Sequence, residues 1–100
     1  MAEVARGSST DTVATGHGCT STTKTDKCST NVFANSKGIC RKGDAILSHT
    51  KPSGNNCVSH SANISGGSNN VFVNNIALSR KGDAADLGSI SSGSANVFAN

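Results

Sequence analysis

His17, His49 and His60 are the only histidines in the 100-residue chain, and all three fall in long stretches rich in Ser, Thr, Asn and Gly. Cys57 stands three residues before His60, the C-x-x-H spacing with which one turn can offer a thiolate and an imidazole to a single ion. Cys19 follows His17 by two in Gly16-His17-Gly18-Cys19, where the glycines permit close backbone approach. Imidazole nitrogen and thiolate sulfur are the donors of tetrahedral metal sites, with Zn²⁺ favoured and Fe²⁺ the alternative. The residues therefore predict one structural transition metal ion held by His17, His49, Cys57 and His60, with Cys19 as the other choice for fourth ligand.

Nothing comparable supports catalysis. Asp44 and Asp83 occupy matched positions after Arg41 and Arg80, where Asp serves the local hydrogen bonding of turns. Three histidines sharing a closed site leave no coordination position for a substrate, and the Gly-rich stretches lack the Lys and helix start of a phosphate loop. No catalytic residue and no enzymatic activity are expected.

The elements that must position these ligands come from a repeat. Asn31-Val32-Phe33-Ala34-Asn35 returns as Asn70-Val71-Phe72-Val73-Asn74 and again as Asn96-Val97-Phe98-Ala99-Asn100, while Arg41-Lys42-Gly43-Asp44 returns as Arg80-Lys81-Gly82-Asp83. Each complete copy has a short β-branched and aromatic run, a turn of Asn, Ser or Gly, and a second short run ending in Arg. That is a β-hairpin signature, with Asn tolerating the positive φ of a tight turn. Glu3-Val4-Ala5-Arg6-Gly7 reads as the second half of a hairpin, and the segment from Ser94 to Asn100 as a first half. If the two pair, the chain closes as three equivalent hairpins and loses two exposed edges.

Three unequal stretches separate the hairpins, Thr12 to Lys27, Ala45 to Gly67 and Ala84 to Gly93, and they read as loops. Only Ala84-Ala85-Asp86-Leu87 suggests a helical turn. With the hairpins around a threefold axis, the loops would converge at one end and bring the metal ligands together there. The expected fold is all-β: a small cone of three short hairpins with pseudo-threefold symmetry, residues 1–100 forming a single domain.

Composition agrees with a small structural module. Hydrophobic residues make up 34 % and aromatics 3 %, so the apolar material is thin and a staple is expected: a disulfide, a metal or a partner chain. The first residues carry no secretory signal, so synthesis in a reducing cytosol is expected. Four cysteines there favour metal binding or simple burial over a disulfide framework. Cys28 and Cys40 match Gly67 and Ser79 of the next copy and read as small buried residues, not ligands. Phe33, Phe72 and Phe98, one per repeat, read as a central core of three rings, the other reading being an exposed triangular base. The net charge of +3 is scattered and unaccompanied by stacking aromatics, which argues against nucleic-acid binding.

Taken in order, Asn-Val-Phe-x-Asn, a turn, four residues ending in Arg, Gly-Asp, a loop with His or Cys, and Gly-Ser before the next Asn-Val-Phe resemble the PAAR-repeat proteins over essentially the whole chain. The likeness is greatest to the small members that tip the central spike of T-even type contractile phage tails, with stand-alone type VI secretion members next. The resemblance implies a cone whose base sits on a homotrimeric β-helical spike, one copy per trimer, and whose apex is held by a metal. It implies a virion component at the tip of the tail baseplate that pierces the target cell's outer membrane, or else a secretion-apparatus tip or adaptor that docks effector cargo. Carried onto this chain, the loop histidines are His17, His49 and His60. The family often draws a cysteine from the third loop, but Asp83 to Gly93 has neither Cys nor His. The family's tetrapeptide is degraded to Gly38-Ile39-Cys40-Arg41, Ala77-Leu78-Ser79-Arg80 and Glu3-Val4-Ala5-Arg6, with Arg kept in all three. Arg6 lacks the following Gly-Asp, and Asp11 is its expected stand-in.

Overall fold

Asparagine sets the tight turns. In the computed structural model, which describes residues 1–100, Asn35 and Ser36 have φ of 53° and 66°, and Asn74 and Asn75 have 55° and 64°. Two consecutive left-handed residues give a turn whose twist suits the flanking strands. The chain is entirely strand, turn and irregular structure, with no helix.

It opens with β1 (Ala2–Glu3), β2 (Thr12–Ala14) and β3 (Thr22–Lys24). The first tight hairpin joins β4 (Phe33–Ala34) to β5 (Lys37–Gly38), and a longer one joins β6 (His49–Ser53) to β7 (Asn56–His60). A second tight hairpin, β8 (Phe72–Val73) with β9 (Ile76–Ala77), precedes β10 (Ala84–Ala85), β11 (Gly88–Ile90) and β12 (Phe98–Ala99). β12 then pairs with β1, placing Ala99 opposite Ala2 and Phe98 opposite Glu3. The first and last segments are therefore side by side, as the split repeat predicts. The register repeats too: Phe33 faces Gly38, and Phe72 faces Ala77.

These three hairpins are joined in a ring. Ala5 N–H donates to the Ser79 carbonyl at 3.1 Å, Ser79 N–H to Cys40 at 2.9 Å, and Cys40 N–H to Ala5 at 3.0 Å. All three residues are fully buried, so each bond forms where water cannot compete. Beside this ring each repeat arginine holds a carboxylate with two guanidinium N–H groups and its own backbone N–H. Arg41 so binds Asp44, and Arg80 binds Asp83. Arg6 makes the same three bonds to Asp11, which fills the expected stand-in role. Such forked, charge-assisted pairs fix geometry as well as adding energy.

Two apolar clusters fill the interior. Val4, Ala34, Ile39, Val73, Leu78 and Ala99 lie under the tight hairpins, and Ala5, Val13, Cys28, Cys40, Ile46, Ile64, Ala85 and Ile90 form the second. The phenylalanines are in neither. Phe33, Phe72 and Phe98 are 57 %, 59 % and 47 % exposed, so the expected core of three rings is overturned. Strand alternation is the reason: Ala34, Val73 and Ala99 point inward, which sends the preceding Phe outward. The inward positions pack with Val4, Ile39 and Leu78 in one cluster.

The stretches expected as loops are also more regular than their composition suggests. β10, β11, β2 and β3 form one four-stranded sheet in that order, and β6–β7 is a five-residue ladder. The helical turn expected at Ala84–Leu87 is instead a hairpin, with Asp86 at φ 55° in its two-residue turn.

All four cysteines are paired, Cys19 with Cys57 and Cys28 with Cys40, contrary to the expectation of free thiols. The fold brings their Cα atoms to 5.9 and 4.7 Å, within disulfide reach. With only 24 residues buried, covalent staples supply what the core lacks.

Candidate metal centre

Three separate turns of chain bring the site together. His17 follows β2, in a segment held by the buried Thr15, whose hydroxyl donates to the Thr20 carbonyl at 2.6 Å. Leu87 N–H donates to the Thr15 carbonyl at 3.0 Å, tying this segment to the turn that carries Asp86. The approach is so close that a Cβ at Gly16 (φ 79°) would lie 2.3 Å from the Leu87 carbonyl oxygen. His49 opens β6 and His60 closes β7, directly opposite each other in the ladder, so both side chains share one face.

The imidazoles and one carboxylate converge. His17 Nε2 and His49 Nε2 each lie 2.8 Å from Asp86 Oδ2, and His60 Nε2 lies 3.1 Å from Asp86 Oδ1. The Nε2 atoms of His17 and His49 are 3.2 Å apart, close to the separation of about 3.3 Å between two nitrogens on a tetrahedral ion. His49 is buried, the side chains of Asp86 and His17 are largely covered within half-buried residues, and His60 borders solvent.

The other ring nitrogens fix the proton positions. His17 Nδ1 donates to the Gly18 carbonyl at 2.9 Å, and His49 Nδ1 donates to the Leu47 carbonyl at 2.8 Å. A carbonyl only accepts, so in the neutral rings both Nε2 atoms carry lone pairs aimed at each other and at a carboxylate. Converging lone pairs and a negative charge call for a cation, either protons or a metal ion. The donor atoms of His17, His49, His60 and Asp86 lie close enough together that they could hold one metal ion.

The metal-free electrostatics run the same way. The bond from His17 to the Gly18 carbonyl raises its pKa; burial and the Lys51 ammonium oppose the rise, Asp86 adds to it, and the net shift is upward. Burial pushes the Asp86 carboxyl up, but bonds from His60, His17 and His49 and the charge of His17 outweigh it and hold the pKa at about 2. A raised His17 stabilises the metal-free fold fully below its ordinary 6.5 and loses that contribution as pH rises through the folded value. A depressed Asp86 contributes fully above its ordinary 3.8 and loses it toward pH 2. Melting of the metal-free protein across pH should therefore peak between about pH 4 and 6.5. Metal uptake has the opposite slope, weakening on acidification through the raised His17 value, because the ion must displace that proton.

Cys57 is not among the converging groups. On a strand, residues three apart point to opposite faces, so β7 turns Cys57 away from His60. Its sulfur is bound to Cys19, which removes the alternative ligand as well. The fourth converging donor is Asp86, from the one long stretch that supplies no Cys or His. A signal for it was present: Ala85-Asp86-Leu87-Gly88 offers a carboxylate at a turn in the third position where a ligand was wanting.

Gly88 holds that turn in place. A Cβ there would lie 2.1 Å from the Ala14 carbonyl oxygen, across the β11–β2 pairing. Gly88→Ala should cost about 3 kcal/mol and loosen Asp86 from the cluster. Thermal melting and metal content should fall together, and a wild-type melt would show that the sheet adapts freely.

No family model matches the chain, and no curated protein does either.

Proposed function

We propose that this chain is a PAAR-repeat tip protein that caps the homotrimeric β-helical central spike of a contractile tail and sharpens it for piercing a target cell envelope. The observation that carries the reading is the set of three exposed rings, Phe33, Phe72 and Phe98, one on each hairpin at the same register position. A monomer with three like faces suits coaxial docking on a trimer, where each hairpin meets an equivalent subunit. The buried ring of Ala5, Cys40 and Ser79 and the three matched Arg–Asp pairs support a pseudo-threefold axis. Extents of 41 × 24 × 21 Å suit a narrow cone.

On this reading the centre of His17, His49, His60 and Asp86 ties the cone's apex with one ion, Zn²⁺ first and Fe²⁺ second on donor type. A structural ion adds rigidity to a fold too small for a large core. Two disulfides suit a device that works outside the reducing cytosol, at the tip of a virion's tail baseplate.

The test mixes the protein with a trimeric β-helical spike fragment and reads the mass of the complex. One copy per trimer is expected. The triple variant Phe33→Ser, Phe72→Ser, Phe98→Ser should bind at least about 100-fold more weakly, because several kcal/mol of apolar burial is lost. Its melting should change little, since the rings are exposed in the free protein. Any other stoichiometry, or full binding by the triple variant, would refute the proposal.

A further inference from the structure

An open cleft of about 280 Å³ lies over the metal centre, lined by His17, His60, Asp86, Lys51, Pro52 and Leu87. Three of these six are proposed ligands, so the cluster faces solvent on one side and is closed on the side of the buried His49. Lys51 stands two residues beyond His49 on β6 and opposite Val58, which puts its side chain on the face that carries His49 and His60. It forms no ion pair with any carboxylate, although every repeat arginine does. Its side chain lines the same cleft as His17, His60 and Asp86.

The charges do not balance around the cleft. A divalent ion on three neutral imidazoles and one carboxylate keeps one positive charge, and Lys51 adds a second. Leu87 is 76 % exposed and forms an apolar lip that discourages a large hydrated solute. Zinc-type ions expand from four ligands to five where a site keeps an open position.

We infer that the cleft is an anion site, in which a small monoanion binds the open face of the metal as a further ligand and Lys51 supplies its counter-charge. The inference rests on the metal reading of the four-residue cluster and adds an exchangeable position to a centre otherwise expected to be closed. Lys51 here positions the anion; it does not bind the metal.

The experiment loads the protein with Co²⁺ and titrates azide, reading the visible ligand-field spectrum. One equivalent of Co²⁺ should develop an intense tetrahedral-type band, and azide should change that band saturably as the ion becomes five-coordinate. Lys51→Met should weaken azide binding about tenfold, the effect of one lost charge-assisted contact, while Lys51→Arg should keep most of it. Both variants should take up Co²⁺ as the parent does. A Co²⁺ spectrum indifferent to azide would overturn the open face, and equal azide affinity in Lys51→Met would overturn the role of Lys51. Failure to develop a Co²⁺ band would instead remove the metal reading itself, an outcome the same titration separates from the other two.

Discussion

Asp86→Ala is expected to strip the protein of metal. Asp86 is the only anionic donor of the cluster, and its oxygens lie 2.8, 2.8 and 3.1 Å from the three Nε2 atoms. Without it, a divalent cation would sit on three neutral imidazoles with no compensating charge in a largely buried site. Affinity should fall by well over the roughly 100-fold typical of losing a supporting group beyond the ligands, because a direct ligand and its charge disappear together. Asp86→Asn keeps the shape and one oxygen donor but not the charge, so it should retain some metal. Elemental analysis after dialysis reads the result directly. An unchanged ratio in Asp86→Ala would remove this residue from the centre and reopen the search for the fourth ligand.

The second large effect belongs to the Cys19–Cys57 link. It spans 38 residues and fastens the His17 segment to the hairpin bearing His49 and His60. A cross-link over that span removes about 4 kcal/mol of chain entropy from the unfolded state at 25 °C in the loop-closure description. The double variant Cys19→Ser, Cys57→Ser should therefore melt roughly 15–30 °C lower. Below its melting temperature it should still bind one equivalent of metal, because Cys57 points away from His60. Loss of metal with melting unchanged would be the contrary result, marking a sulfur as ligand. Together the two variants separate a strap from a donor.

The two experiments also mark where the chain could be read and where it could not. Asn35 and Asn74 announced their turns, since few residues accept positive φ so readily. The split of the repeat between Glu3 and Phe98 announced the closing pair, because half a hairpin has no stable life alone. The three histidines stood out because the chain has no others. Asp86 stayed hidden because aspartate is a common turn residue, and a weak helical pattern over Ala84–Leu87 obscured the hairpin. Cys57 misled because C-x-x-H serves a turn, whereas β7 is a strand and alternates by two. The phenylalanines misled by size: alternation allows either member of Phe33-Ala34 to face inward, and only the packing of the interior decides between them. That packing is a property of three segments meeting, which no single segment encodes.

The ring of Ala5, Cys40 and Ser79 has a kinetic consequence. Its members, Ala5, Cys40 and Ser79, are widely separated along the chain, so closure of long loops must precede the contacts that reward it. High contact order of this kind makes folding slow and leaves little that can form stably during synthesis. It also places the amide protons of these three residues in a fully buried, non-local set of bonds, so their release should follow opening of most of the fold. Their hydrogen exchange should be the slowest in the molecule.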